Sequence, residues 1–123
     1  MINEILTKDE FWTSVDPQSD SLHIVFAYGK GCGPCAATKP KYEMVVNYFL
    51  KMNANIKFHM MNMWEPTNRE FSKEMGIEMV PTFWGYYKGK RIWEGKGGLD
   101  TAIQKQAILS VIDNVKLNYG VNI

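Results

Sequence analysis

The sequence predicts an α/β fold, a central mixed β-sheet flanked by helices on both faces. Two runs, Leu22–Tyr28 and residues 56–63, read as central strands, the first almost wholly apolar, with a long helical pattern between them. Strand, helix and strand in that order imply a parallel pair joined by a right-handed crossover. Two further runs, residues 80–87 and 91–94, flank Lys88-Gly89-Lys90 and read as an antiparallel hairpin. The C-terminal segment places Ile103, Ala107, Ile108, Val111, Ile112 and Val115 at helical spacing, a stripe suited to packing on the sheet. At 123 residues and 14.2 kDa, residues 1–123 are expected to form one domain.

Each element has a local cause. Thr7 with Glu10 forms a capping box, flanked by Leu6 and Phe11, and opens a first helix that Asp16-Pro17 ends. Leu22-His23-Ile24-Val25-Phe26-Ala27-Tyr28 is continuous rather than alternating in apolarity, as expected for a strand buried on both faces. Gly29, Gly31 and Gly33 break it, and Pro34 suits the first turn of a helix, where its missing N–H costs nothing. Tyr42, Val45, Val46, Phe49 and Leu50 carry that helix to about Met52, with a kink expected at Pro40. Residues 56–63 form the second central strand. Thr67 and Glu70 offer another capping box for a short helix that Gly76 closes. The next strand begins at Pro81, where a strand tolerates proline. Gly95, Gly97 and Gly98 end the hairpin, and Thr101 with Gln104 caps the last helix. The expected order is helix, strand, helix, strand, helix, strand, strand, helix.

Composition excludes several classes of function. Hydrophobic residues at 46% and charged residues at 22% are a globular balance, against disorder or a low-complexity tail. A net charge of +1 gives no electrostatic footprint for nucleic acid or anionic membrane. Lys88, Lys90, Arg91 and Lys96 read as a solvated hairpin rim. The first ten residues lack a basic stretch followed by an apolar one, and no run approaches the roughly 20 apolar residues of a membrane span. A soluble, cytoplasmic, monomeric protein is expected.

The chemistry points to Cys32 and Cys35, the only two cysteines. Two cysteines cannot staple a small fold, and a bridge between neighbours three apart closes too small a loop to stabilise much. Zinc needs about four ligands, whereas the chain offers two Cys and two His without metal-ligand spacing, so no metal site is expected. Cys32 instead stands between a buried strand and the first turn of a helix. Unpaired N–H groups and the helix dipole stabilise an anion there, and a thiolate is the attacking species in disulfide exchange. Cys32 is thus the expected exposed nucleophile. Cys35, one turn further on, is placed to attack the mixed disulfide that Cys32 forms.

Cys32-Gly33-Pro34-Cys35 resembles the redox tetrapeptide of the thioredoxin family. Pro40 is similar to that family's mid-helix proline, Val80-Pro81-Thr82 to its cis-proline loop, and Lys88-Gly89 to its hairpin turn. Gly97 resembles the glycine of its substrate groove, and the likeness extends from about Ile2 to Lys116. It implies a thioredoxin fold, a cis bond before Pro81, and reversible dithiol–disulfide exchange with protein disulfide substrates. It also implies a thioredoxin reductase as electron donor and no tightly bound cofactor. Gly31, Gly33, Pro34, Val80, Pro81 and Gly97 would shape the substrate groove. The same site also suits a disulfide oxidase or isomerase, and the groove beside Pro81 suits a binding subunit whose dithiol is incidental.

Three positions depart from the family pattern. Gly31 stands where a tryptophan usually precedes the first cysteine. Phe26 stands where a buried aspartate usually helps move the proton of the second thiol. The lysine that often partners that aspartate is missing from His59-Met60-Met61. Losing both halves of a buried charge pair is coherent, since either alone would be costly. An apolar pocket raises the pKa of Cys35, so slow resolution is expected. His23 and His59 read as strand residues with satisfied rings, and the eight methionines as core filler. Trp84 and Trp93 read as hairpin aromatics; Trp64, before Glu65-Pro66, reads as packing in preference to an active-site border.

Overall fold

The strand β2 (Leu22–Tyr28) lies at the centre of the sheet. The computed structural model describes all residues, Met1–Ile123. β2 pairs in parallel with β3 (Ile56–Asn62) and antiparallel with β4 (Thr82–Tyr87). β1 (Ile2–Ile5) adds in parallel to the free edge of β3, and β5 (Lys90–Lys96) adds antiparallel to β4. The sheet has five strands in the order β1-β3-β2-β4-β5.

Both faces of β2 are covered, which explains its continuous apolarity. Leu22, Ile24 and Phe26 face α2 (Gly33–Lys51) and α4 (Thr101–Tyr119) in a cluster of 16 buried residues. Val25 and Ala27 face α1 (Lys8–Ser14) and α3 (Arg69–Glu74) in a second cluster of 11. Each large apolar side chain fully buried here contributes about 1.5–3 kcal/mol. Tyr42 of α2 stacks on Phe26 at 5.1 Å between ring centres, and its hydroxyl donates to the His59 carbonyl at 2.8 Å. That bond fixes the crossover helix to the sheet beneath it. The helix continues through Pro40 to Lys51.

The structure revises several expectations. β1 is an additional strand: Ile2-Asn3-Glu4-Ile5 is short and, with two polar residues together in the middle, lacks the alternation that would mark one. Thr7 does cap α1, accepting from the Glu10 N–H, but the Glu10 carboxylate accepts from the Leu6 N–H and Leu6 is exposed. The Thr67–Glu70 box does not form. Pro66 starts a 3₁₀ turn (Pro66–Asn68), so Asn68 occupies the cap position, and its amide donates instead to the Leu6 and Asn62 carbonyls. β4 begins at Thr82, after Pro81. β5 runs on through Gly95. Asp100, not Thr101, precedes α4, where Gln104 is buried and donates to the Leu99 carbonyl at 2.8 Å while Ile103 is exposed. Arg91 is exposed at the hairpin rim, yet its guanidinium is held there: it lies 4.5 Å from the Trp84 ring and donates to the Tyr86 hydroxyl and the Met75 carbonyl. Met60, Met61, Met63 and Met75 are core residues, whereas Met1, Met44, Met52 and Met79 are exposed. No helix is long and apolar enough to cross a membrane.

The two histidines meet. His23 and His59 are 4% and 5% exposed, and His23 Nδ1 lies 3.0 Å from His59 Nε2. Asn3 Nδ2 lies 3.1 Å from His59 Nδ1, and Ser19 Oγ lies 3.2 Å from His23 Nε2. One tautomer satisfies the row: the Asn3 amide donates to His59, His59 Nε2–H donates to His23, and His23 Nε2–H donates to Ser19. Protonating His23 at Nδ1 would set two donors against each other. Both rings are held down to about 4, chiefly by burial; the Lys57 charge adds to this at His23 while Asp16 opposes it, and at His59 the His23 ring and then Lys57 add to it.

Above about pH 6.5 the rings are neutral in both folded and unfolded chains and do not affect the balance. As pH falls toward 4 the unfolded chain takes up protons that the folded chain refuses, so stability falls. Urea unfolding midpoints should therefore drop between about pH 6.5 and 4, and drop less steeply in His59→Gln. Equal slopes in the two proteins would contradict the pairing.

Candidate active site

The site forms where β2 ends and α2 begins. After Tyr28 the chain turns, with the Cys32 N–H donating to the Gly29 carbonyl at 3.1 Å and Gly31 at φ +90°, a conformation that disfavours a side chain. That backbone angle is a physical reason for glycine before the first cysteine. Cys32 is the N-cap of α2: its carbonyl accepts the first helical bond from Ala36, and its Sγ accepts the Cys35 N–H at 3.2 Å. The sulfur thus sits at the positive end of the helix dipole with a donor already aimed at it. Gly33 and Pro34 form the first turn.

Cys32 and Cys35 are joined as a disulfide. Cys32 is more covered than an exposed nucleophile should be, at 7%, against 3% for Cys35. Access comes from clefts on either side. One, about 540 Å³, is lined by Gly31, Cys32, Gly33, Pro34 and Val80 with Trp64, Ile77, Glu78 and Met79. The other, about 340 Å³, is lined by Phe26, Tyr28, Lys30 and Lys39 and reaches Cys35 as well as Cys32.

The loop before β4 closes the first cleft. The Val80–Pro81 bond is cis, and Cys32 Sγ lies 3.9 Å from the Val80 carbonyl oxygen. Thr82 Oγ1 donates to the Met79 carbonyl at 2.7 Å, and Gly97 N–H donates to the Pro81 carbonyl at 2.9 Å. Gly31, Cys32, Gly33, Pro34 and Val80 share one cleft. Pro81 joins them through the cis bond, and Gly97 joins through its hydrogen bond to Pro81.

Cys35 lies against an apolar wall. Phe26 stands directly opposite Met60, in the His59-Met60-Met61 segment that lacks the family's lysine, in the β2–β3 register. Both are buried. The Cys35 sulfur accepts from the Gly29 N–H at 3.5 Å. Among the residues lining this cleft none is acidic, and Tyr28, whose hydroxyl donates to Glu4, is pushed up to about 12 by burial and by the Glu4 charge. It offers no base near neutral pH.

Two site residues, Met79 and Asn62, escaped the sequence reading, and a third, Trp64, read as packing in preference to an active-site border, lines the cleft that contains Cys32. Met79 faces the same cleft. Asn62, at the end of β3, accepts from the Lys30 and Trp64 N–H groups through one oxygen, tying two loops together. A polar residue ending a buried strand was the available signal for Asn62. His23 and His59 line a separate cleft of about 700 Å³ that contains neither cysteine.

Comparison with known proteins agrees with this geometry. The thioredoxin family model matches residues 3–113. The chain is 36% identical to chloroplastic thioredoxin F1 of Arabidopsis thaliana over 81 residues, 62% of this chain and 40% of that protein. It is 31% identical over 105 residues to chloroplastic thioredoxin F of Oryza sativa subsp. japonica, 80% of this chain and 51% of that one. The chain thus spans about half or less of the length of these plant relatives. The crystal structure of thioredoxin f from spinach chloroplast superposes with a TM-score of 0.75 at 26% identity, covering 89% of this chain and 93% of that one. Thioredoxin from Trypanosoma brucei brucei shares the fold at 18% identity, with a TM-score of 0.77 and 92% of each chain covered. With its sheet order, its Cys-Gly-Pro-Cys helix start and a family match over most of its length, the chain belongs to the thioredoxin family.

Proposed function

We propose that this protein is a thiol–disulfide oxidoreductase that reduces disulfides in other proteins. The observation that carries this reading is Cys32 Sγ at the N-cap of α2, hydrogen-bonded by the Cys35 N–H and opening onto the cleft beside Val80. In the reduced protein that position favours the thiolate. The Cys32 thiolate attacks one sulfur of a substrate disulfide; a mixed disulfide forms and the other substrate sulfur leaves as a thiolate that takes up a proton. Cys35 loses its proton and attacks Cys32 Sγ. The Cys32–Cys35 bond forms, the substrate's second thiol leaves, and two electrons have passed from protein to substrate.

Gly31, Gly33, Pro34, Val80, Pro81 and Gly97 are proposed to shape the groove for the substrate, whose extended backbone pairs with that of Val80. Regeneration needs a reductant, for which a thioredoxin reductase in a reducing, cytoplasmic setting is the proposed source. In insulin reduction driven by dithiothreitol, Cys32→Ser should lose all catalysis above background, and Cys35→Ser should accumulate mixed disulfides. Retained turnover in Cys32→Ser would reverse the assignment. Equilibration with glutathione should give a potential near the reducing range of about −270 mV; a value near −180 to −120 mV would favour isomerisation or oxidation.

Phe26 in place of the aspartate, with no lysine in the facing segment His59-Met60-Met61, bears on the second step. Without a carboxylate beside it, the Cys35 proton must leave through the cleft to solvent. Resolution should be slower than in thioredoxins that hold the carboxylate. The double variant Phe26→Asp/Met60→Lys, which sets both charges opposite each other, should speed resolution by up to about a hundredfold in stopped-flow measurements. An unchanged rate in the folded double variant would remove Phe26 from the account.

A further inference from the structure

Trp64 is held in place by more than space filling, yet it is not covered. Its N–H donates to Asn62 Oδ1 at 3.1 Å, the oxygen that also accepts from Lys30 in the active-site loop at 3.0 Å. The preceding Met63 N–H donates to the Tyr28 carbonyl at 2.7 Å, extending the sheet hydrogen bonding to the root of that loop. The indole lies flat on Gly29, where any Cβ would overlap the ring. Despite these constraints Trp64 is 55% exposed, and it lines the cleft that contains Cys32. A fixed, half-exposed aromatic loses little conformational freedom when something binds it, which is why such residues dominate binding surfaces.

The rest of the cleft fits the same role. Gly31, which lines the same cleft, has open space where a side chain would project. Met79, also lining it, is 48% exposed, and Ile77 and Val80 of the cleft are partly covered. The single acidic lining residue, Glu78, is engaged by Lys96. The exposed side chains of Trp64 and Met79 thus bring apolar surface to the cleft that holds the Cys32 sulfur, among the polar groups of the loop backbone and Ser72, which suits a substrate segment whose side chain next to its disulfide is itself apolar.

We propose that Trp64 is a specificity-determining residue that binds, together with Met79, an aliphatic or aromatic side chain flanking the target cysteine of the substrate. This rests on the dithiol reading above. In this arrangement the aromatic surface beside the first cysteine comes from the loop after β3 instead of from the residue preceding Cys32. The occupant follows from the chemistry: a peptide whose disulfide reaches Cys32 enters the cleft that Trp64 and Met79 also line, which brings its neighbouring side chain to them.

The test uses two peptides with the same disulfide, one with Leu and one with Asp beside the attacked cysteine, and dithiothreitol as reductant. The parent should prefer the Leu peptide in kcat/KM. Trp64→Ala should reduce the ratio of kcat/KM for Leu over Asp by about tenfold, chiefly through KM, as expected for losing one aromatic contact. Trp64→Phe should retain most of the ratio, and Met79→Ala should reduce it in part. No preference in the parent, or an equal loss on both peptides in Trp64→Ala, overturns the proposal. Failure of the parent to turn over either peptide would instead strike the dithiol reading itself, and this proposal with it.

Discussion

The central constraint is the burial of β2 on both faces. A strand that is paired on both edges and packed on both surfaces has no freedom to shift, and its end fixes where the next element starts. The chain then has only Gly29, Lys30 and Gly31 in which to turn before Cys32 caps α2. Tyr42 ties α2 to β2 and β3 through its hydroxyl, so the helix start is positioned from both ends. The disulfide therefore rides on the most rigid part of the molecule. A nucleophile at a helix N-terminus needs its donor aimed before the reaction, and the Cys35 N–H is so aimed because the strand cannot move.

The same burial sets the character of the second cysteine's surroundings. Phe26 and Met60 face each other inside the larger core cluster, beside Tyr42 and Phe83. A lone carboxylate in this place would pay the full desolvation penalty, so an apolar pair here is the physically self-consistent alternative to a charge pair. The polar needs of the sheet are met elsewhere. The row Asn3, His59, His23 and Ser19 runs across β1, β3 and β2 on the opposite face, each ring nitrogen with a partner.

Much of this was legible in the residues. The uninterrupted apolarity of Leu22–Tyr28 could only mean burial on both faces, and Pro34 after three glycine-punctuated positions marked the helix start and hence the cap position of Cys32. What was hidden depended on partners far away in the chain. β1 is a strand because β3 offers an open edge, not because Asn3 and Glu4 favour one. Thr67 and Glu70 have the capping pattern, but Pro66 starts the turn one step early and spends the cap position on Asn68. Gln104 sits on the buried side of α4 because the Leu99 carbonyl needs a donor there, a fact that helical spacing cannot carry.

Trp64 and the glycines of the active-site loop show the same dependence most clearly. Gly29 and Trp64 are 35 positions apart, and neither residue is informative alone. Together they explain each other: a side chain at residue 29 would displace the indole, and the indole adds apolar contact to the hydrogen bond by which Asn62 already holds the loop after β3 to the active-site turn. Gly31 answers a different demand, the positive φ that lets the chain reach the helix start. A side chain there would be strained although the space around it is open, so the demand for glycine is conformational at residue 31 and steric at residue 29. The absence of a tryptophan before the first cysteine therefore does not leave the site without an aromatic surface; it moves that surface to a neighbouring loop, where Asn62 holds it in register with the turn.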